Sequence, residues 1–165
     1  MKITSEWDGL KRIENGDYVL EGDLISDEDI DIELDDRLKV SGKVASKGSI
    51  SVKNTLIAGD GIKAGWDIKA GCGIKAGCGI EAGWGIEAGW GIEAGTGIKA
   101  GDGIKAGDGI EAGWGIEAGT FIYSGKRIFA GISVYDTISS CQKTITCAEL
   151  RNGDICYGDL VIIKK

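Results

Sequence analysis

The chain has 165 residues, of which 29 are Gly, none is Pro and none is His, and its formal net charge is −7. The length fits one domain, and a hydrophobic content of 42% argues against wholesale disorder. Without Pro the glycines cannot indicate collagen, and without His there can be no Ser-His-Asp triad, Cys-His pair or imidazole metal ligand.

Targeting and redox signals are weak. Residues 1–12 carry several charges and no apolar h-region, and no run of about 18 apolar residues occurs, so we expect neither a signal peptide nor a transmembrane helix. The five cysteines form no CxxC pair and favour reduced thiols in a cytoplasmic protein over a disulfide framework. They are Cys72, Cys78, Cys141, Cys147 and Cys156.

Residues 1–31 lie before the regular part of the sequence and are predicted to form an N-terminal cap. Ser5-Glu-Trp-Asp8 resembles a capping box ahead of Leu10, which predicts a short helix. Asn15-Gly16 predicts a turn. We expect this segment to cover an open sheet edge, because exposed edges invite aggregation.

An acidic run occupies residues 21–36, with nine acids and no base. One interpretation is a patch that binds a basic partner, such as the nucleic-acid groove of another protein, or a cation. The other is a solvated edge that prevents end-to-end stacking. The candidate binding acids are Asp23, Asp27, Glu28, Asp29, Asp31, Glu33, Asp35 and Asp36.

A six-residue period spans residues 32–136, most clearly as Ile-(Lys/Glu)-Ala-Gly-x-Gly from residue 58 onward and with weaker chemistry before it. Ile-(Lys/Glu)-Ala alternates apolar and charged residues and predicts a three-residue strand with its charge outward. Gly-x-Gly predicts a corner, since Gly tolerates positive φ. A helix is disfavoured because each Gly would cost about 1 kcal/mol. The pattern therefore predicts an all-β solenoid whose strands pair between turns.

The outward charges indicate how many repeats make one turn, because like charges on stacked strands are destabilising. Opposite charges meet in six of seven pairs if three repeats make a turn, and in six of eight if two repeats do. Together with the narrow Ile and Ala core, this favours a triangular β-helix of about six 18-residue turns. At about 4.8 Å per turn it would be about 29 Å tall.

The repeat Ile-x-Ala-Gly resembles that of hexapeptide-repeat β-helices, with the large and small core positions exchanged. Residues 21–50 resemble the bactofilin-type polymer-forming β-helices. The first resemblance implies a left-handed solenoid, whereas parallel crossovers are normally right-handed, so the handedness stays open. The resemblance to hexapeptide-repeat β-helices would also imply acyl transfer or a carbonic-anhydrase-like activity, but those families use His, which this chain lacks.

Four tryptophans occupy the variable corner position of the repeat, three of them within Gly-x-Gly and Trp66 within Gly-Trp-Asp. Exposed there, they would form a recognition surface, since Trp is a common binding hot spot. Lying flat, they would instead shield the glycine backbone. They are Trp66, Trp84, Trp90 and Trp114, and an 18-residue turn predicts that Trp66 stacks on Trp84.

Near the end of the repeat the outward charge becomes aromatic, and we expect residues 137–165 to form a C-terminal cap or a dimerisation segment. The residues concerned are Phe121, Tyr123, Phe129, Ile132 and Tyr135. Residues 144–150 and 154–163 flank Asn152-Gly153 as a candidate hairpin. The run AELRN GDICY GDLVI also resembles a pentapeptide repeat.

No catalytic, nucleotide or metal motif is present, so we expect neither an enzyme nor a cofactor. We predict a binding protein that engages a larger, basic or nucleic-acid-binding protein, as would an inhibitor of the kind that a phage or mobile element directs against a host defence or nucleic-acid enzyme. The bactofilin resemblance implies the alternative, a self-assembling structural protein. We expect no membrane association and no direct binding to nucleic acid.

Overall fold

The computed structural model describes residues 1–131 and 143–163, and all the regular structure in them is β. The prediction of a triangular β-solenoid is confirmed. Most strands are three residues long and follow one another every six residues. They are β1 (Lys2–Ile3), β2 (Leu10–Arg12), β3 (Tyr18–Leu20), β4 (Leu24–Ser26), β5 (Ile30–Ile32), β6 (Leu38–Val40), β7 (Val44–Ser46), β8 (Ile50–Val52), β9 (Leu56–Ala58), β10 (Ile62–Ala64), β11 (Ile68–Ala70), β12 (Ile74–Ala76), β13 (Ile80–Ala82), β14 (Ile86–Ala88), β15 (Ile92–Ala94), β16 (Ile98–Ala100), β17 (Ile104–Ala106), β18 (Ile110–Ala112), β19 (Ile116–Ala118), β20 (Phe121–Ala130), β21 (Thr144–Cys147), β22 (Glu149–Tyr157) and β23 (Asp159–Ile162).

Three faces, each a sheet of parallel strands, surround one core. Face 1 contains β5, β8, β11, β14 and β17, face 2 contains β3, β6, β9, β12, β15 and β18, and face 3 contains β4, β7, β10, β13, β16, β19, β21 and β23. The long strand β20 turns the corner between faces 1 and 2 and joins their sheets. Within the repeat each strand pairs with the third strand along the chain, as Ile62 does with Ile80, so three repeats make one turn.

The core is built from the two apolar positions of each repeat. The large aliphatic residues that begin strands β6 to β19 are at most 2% exposed, and the Ala residues that end the repeat strands are at most 7% exposed. The charged residue between them points to solvent. Burial of the Ile rows supplies the main stabilisation, at about 25 cal/mol per Å² of apolar area.

The solenoid has about seven turns rather than the six counted from Ile32. Parallel pairing on face 2 begins at Tyr18, which aligns with Leu38 and so lies two positions out of step with the later repeats. Ile30, not Ile32, aligns with Ile50, so the unit from Ile30 holds eight residues and contributes the additional buried Leu34. Because this unit has two extra residues, the strands before it align with residues 20 positions later, and not 18 as a strict six-residue period would require.

Residues 1–17 cover the N-terminal end of the solenoid. Strand β1 pairs with β5 on face 1, and β2 pairs antiparallel with β3 on face 2. The helix predicted at Ser5–Asp8 is wrong: the segment is a turn in which Trp7 N–H donates to Thr4 O at 3.0 Å. Trp7 packs on the core instead. The turn at Asn15-Gly16 is confirmed, with Gly16 at φ 91°.

The corner glycines are explained by close approach and not by positive φ. None of the repeat glycines from Gly59 to Gly125 has a positive φ. A Cβ at Gly83 would instead overlap the carbonyl oxygen of Gly65 in the turn below. The second glycine of each corner is less confined, since a Cβ at Gly91 would lie 3.5 Å from Gly109 O.

The final turn has a smaller repeat than the others. Leu150, Ile155 and Leu160 are five residues apart and align with Ile122, Ile128 and Ile145. The run that resembles a pentapeptide repeat is therefore a turn with five residues per face. The hairpin predicted around Asn152-Gly153 is wrong: both residues lie within β22, which runs parallel to β20, and Gly153 has φ 119° where the chain turns the corner.

The outward charges form ladders up the faces, but one neighbouring pair has like charges. Glu93 aligns with Glu111, while Glu93 Oε1 lies 2.6 Å from Lys75 Nζ in the other direction. We expect Glu111→Lys to raise the free energy of unfolding by about 0.5 kcal/mol, because it replaces this repulsion with attraction. Urea denaturation at low salt would measure the gain, which salt should screen.

Glu117→Lys provides the matched control for that substitution. Glu117 Oε1 lies 3.1 Å from Lys99 Nζ, so the same change of charge removes an attraction and should lower stability by a similar small amount. Equal effects of the two variants would contradict the ladder interpretation.

Candidate functional site

The corner tryptophans lie on three different edges of the prism. Trp66 and Trp84 share the edge between faces 3 and 1, Trp90 lies between faces 1 and 2, and Trp114 lies between faces 2 and 3. Their exposed fractions are 53% for Trp66, 60% for Trp84, 66% for Trp90 and 38% for Trp114. Rings lying flat on the backbone would be largely covered, so these exposures favour the recognition interpretation.

Trp66 and Trp84 form a stacked pair. Their backbones are joined by the hydrogen bond from Trp84 N–H to Trp66 O at 3.0 Å, which sets the two indoles one turn apart. The ring centroids lie 5.8 Å apart and the planes meet at 15°, as predicted from the 18-residue turn. Such offset stacking stabilises and orients both rings while leaving more than half of each in water.

Grooves run along faces 3 and 2 of the described prism, beside the corners of Trp114 and Trp90. The larger, of 710 Å³, lies on face 3 above the glycine backbone at Gly79 and Gly97, with Trp114 at one end. The smaller, of 450 Å³, lies on face 2 beside Trp90 and Gly91. Both arise because the second glycine of each corner has no side chain between the corner residue and the charge ladder. Trp90 and Trp114 therefore form groove walls as well as corners, whereas Trp66 and Trp84 line neither groove.

Ion pairs between turns neutralise much of the groove walls. The pairs lie 2.6 to 3.1 Å apart and are half-exposed, so each contributes at most about 1 kcal/mol. The pairs in the grooves are Lys63–Glu81, Lys75–Glu93 and Lys99–Glu117, and a fourth pair, Lys105–Glu87, lies on face 1 outside both grooves. The hydrogen bond to Glu87, together with its charge, raises the pKa of Lys105. These faces therefore offer contact area more than net charge.

Most of the predicted acidic patch already has partners within the chain. Five of the eight acids form ion pairs with basic residues of the N-terminal cap or the next turn: Asp23 with Lys43, Asp27 with Lys47, Glu33 with Lys2, Asp35 with Lys53, and Asp36 with Arg12. Asp29 accepts the N–H of Ser49 at 2.7 Å. In the described part of the chain, Glu28 and Asp31 have no such ion pair.

One acid that was not predicted as part of the patch is buried and contacts two cations. Asp17 is 3% exposed, and its carboxylate oxygens lie 2.9 Å from Arg37 Nε and 2.7 Å from Lys39 Nζ. The hydrogen bond from Lys39, with those from Arg37 and Asn15, holds the pKa of Asp17 below its usual range. Its contacts join the N-terminal cap to the first turns, so its role is structural.

The C-terminal aromatic residues are partly covered by the final turn. Phe121, Tyr123 and Phe129 are all half-buried, and Arg151 stacks over the Phe121 ring at 3.9 Å. Phe121 also lies on Gly103, where it fills the position that the grooves occupy on the other two faces. Ile132 and Tyr135, predicted to join them, lie outside the described residues.

Other kinds of site in residues 1–131 and 143–163 would be metal-binding clusters, unsatisfied buried polar groups and reactive thiols. No three Asp, Glu or Cys side chains there are placed to hold a metal ion, and no buried polar side-chain atom lacks a hydrogen bond. Burial raises the pKa of the Cys147 thiol, which disfavours its nucleophilic thiolate form. Nor does this part of the chain form a helix long and apolar enough to cross a membrane.

No protein family, no curated protein and no solved structure matches the chain. The surfaces described above are therefore the basis on which a function can be inferred.

Proposed function

We propose that this chain is a non-catalytic binding protein that engages a larger protein through its corner tryptophans, with the acidic end as a secondary contact. The observation that carries the proposal is the stacked pair Trp66 and Trp84, held in a fixed orientation with more than half of each indole in water. Preorganised, exposed Trp side chains lose little conformational entropy on binding and commonly dominate interface energies.

The acidic end supports a basic partner, but less strongly than the nine acids of the run suggest. Glu28 and Asp31 are available, whereas most neighbouring carboxylates would have to exchange an internal lysine or arginine for an external one. Such exchange gives little net energy and mainly accelerates association. We therefore propose that the tryptophans provide most of the binding affinity and that the acids orient the partner as it approaches.

A basic, nucleic-acid-binding enzyme is the partner class that this division of roles fits best. The chain would act as an inhibitor of the kind that a phage or mobile element directs against a host defence or nucleic-acid enzyme. It would bind the enzyme and not the nucleic acid, since its own charge is −7. A cytoplasmic site of action fits the exposed thiols of Cys78 and Cys156.

The double variant Trp66→Ala/Trp84→Ala tests the role of the stacked pair. Affinity capture from the native host, followed by a binding titration of the captured protein, should show an affinity loss of at least about 30-fold, as expected for removal of a hot spot. The fold should remain, because both side chains project from corners. Circular dichroism and thermal melting would verify that.

Ile25→Ala is the matched control for this experiment. Ile25 is also 53% exposed and apolar, but it lies on β4 at the N-terminal end of face 3. Its substitution should leave binding unchanged. Undiminished binding by the double tryptophan variant would contradict the proposal, while loss of binding only in Glu28→Gln/Asp31→Asn would transfer the main contact to the acidic end.

A further inference from the structure

The last turn of the solenoid in the described chain leaves apolar residues in water. This terminal turn consists of β22, β23 and Ile163. Five of its side chains are between 40% and 48% exposed: Tyr157, Leu160, Val161, Ile162 and Ile163. Together they expose about 400 Å² of mostly apolar surface.

Two of these side chains, Leu160 and Ile162, continue the core, whereas Val161 aligns with the outward Thr146 and Tyr157 with the outward Phe129. Leu160 aligns with Ile145 and Ile162 aligns with Cys147, and both of those residues are completely buried. Leu160 and Ile162 are nevertheless 41% and 46% exposed, because they occupy core positions of a turn that has a neighbour on one side only. The end of the prism is thus a cross-section through its hydrophobic core.

The backbone of the same turn is also open. Among the described strands, β22 pairs only with β20, and β23 pairs only with β21. Ile163 N–H donates to Cys147 O at 2.9 Å, so strand alternation directs the N–H groups of Leu160 and Ile162 away from β21. Unpaired strand edges of this kind readily accept another strand.

The geometry of the turn restricts what can cover it. Its faces are five residues long, whereas the turns below have six. The opposite end of the chain does not match it, because β1 and β2 cover two of the three faces there and the eight-residue unit from Ile30 enlarges the turn. The matching edge in the described chain is another copy of the terminal turn itself.

Charge permits this self-association. The rim of the terminal turn carries both signs, in the pairs Arg151–Glu149 at 2.9 Å and Lys143–Asp159 at 3.3 Å. The N-terminal end, by contrast, is already covered on two faces by β1 and β2. We therefore propose that two copies of this chain associate through their terminal turns about a two-fold axis, with the facing strands antiparallel. The N-terminal cover then stops growth at the dimer.

Sedimentation velocity of the full chain between about 1 and 500 μM tests the proposal. Apposed terminal turns would bury only part of this surface, an area typical of weak interfaces, so the mass should rise with concentration from 17.3 kDa to twice that value and no further. Leu160→Lys/Ile162→Lys should remain monomeric throughout. Ile25→Lys, which adds one lysine at the opposite end, should dimerise like the wild type.

Hydrogen exchange gives a second readout that does not depend on the variants folding. The amides of Leu160 and Ile162 should exchange rapidly at low concentration and become at least about tenfold slower where the dimer forms. A chain that is monomeric at every concentration would overturn the proposal. So would a dimer in which these amides stay unprotected, or an assembly that continues beyond two copies.

Discussion

Replacing Gly89 with Ala should lower the free energy of unfolding by about 3 kcal/mol, a large effect for the addition of one methyl group. A Cβ at Gly89 would overlap the carbonyl oxygen of Gly71 in the turn below. The backbone cannot move aside easily, because Gly89 N–H donates to Ala70 O at 3.1 Å and Trp90 N–H donates to Cys72 O at 2.9 Å. Relief of the overlap would lengthen both bonds.

Gly91→Ala is the control, two residues further along the same corner. Its Cβ would lie 3.5 Å from Gly109 O, an ordinary contact, and its φ is not positive. The substitution should therefore be neutral or stabilise by up to about 1 kcal/mol through the lower entropy of the unfolded chain. Urea denaturation of both variants measures the difference, and equal losses would contradict close approach as the reason for the first glycine.

This contrast also defines how far the sequence predicts the fold. The period of six and the alternation of the outward charges predicted the three faces and the pairing of every third strand, because both are local patterns repeated many times. The sequence does not reveal in the same way why the first position of each corner must be glycine. That requirement depends on the distance between successive turns, which is a property of the stacked backbone and not of any one repeat.

The two ends were harder to predict because each breaks the period. At the N-terminal end the eight-residue unit from Ile30 shifts the alignment by two, so Asp27 meets Lys47 rather than Ala45, the partner that three regular repeats would give it. Aligning Ile30 with Ile50 would have revealed that pairing. At the C-terminal end the spacing of five in Leu150, Ile155 and Leu160 was present in the sequence, but three units are a weak signal.

The candidate surface was predicted in part for the same reason. The Trp66–Trp84 stack follows from the 18-residue turn and needs no further information. The grooves beside the corners do not, since they depend on which residues flank each glycine in space. Asp17 was missed because nothing in its local sequence indicates that Arg37 and Lys39, one turn later, converge on it.

The second large effect is expected from Asp17→Asn, which should lower the free energy of unfolding by about 2 kcal/mol at pH 7. The side chain is 3% exposed and pairs with both Arg37 and Lys39, so a neutral amide leaves two cations without their counter-charge. The loss should appear as earlier unfolding of the N-terminal turns, where hydrogen exchange of the amides in β3 and β6 would detect it.

The pH dependence of this contribution has a definite sign. The pKa of Asp17 is lowered in the folded chain, first by the hydrogen bond from Lys39, so its stabilisation is fully present above the unfolded pKa of about 3.9. It is lost as the pH falls through the lower, folded value. The stability difference between wild type and Asp17→Asn should therefore be constant above about pH 5 and shrink below about pH 4.

Asp35→Asn separates this effect from a general loss of negative charge. Asp35 also pairs with a lysine, Lys53, but its side chain is 83% exposed, so the same substitution should leave the unfolding midpoint nearly unchanged. If the two variants lost equal stability, burial would not be what makes the Asp17 contacts strong. If only Asp17→Asn unfolds early, the link between the N-terminal cap and the first turns depends on this one buried carboxylate.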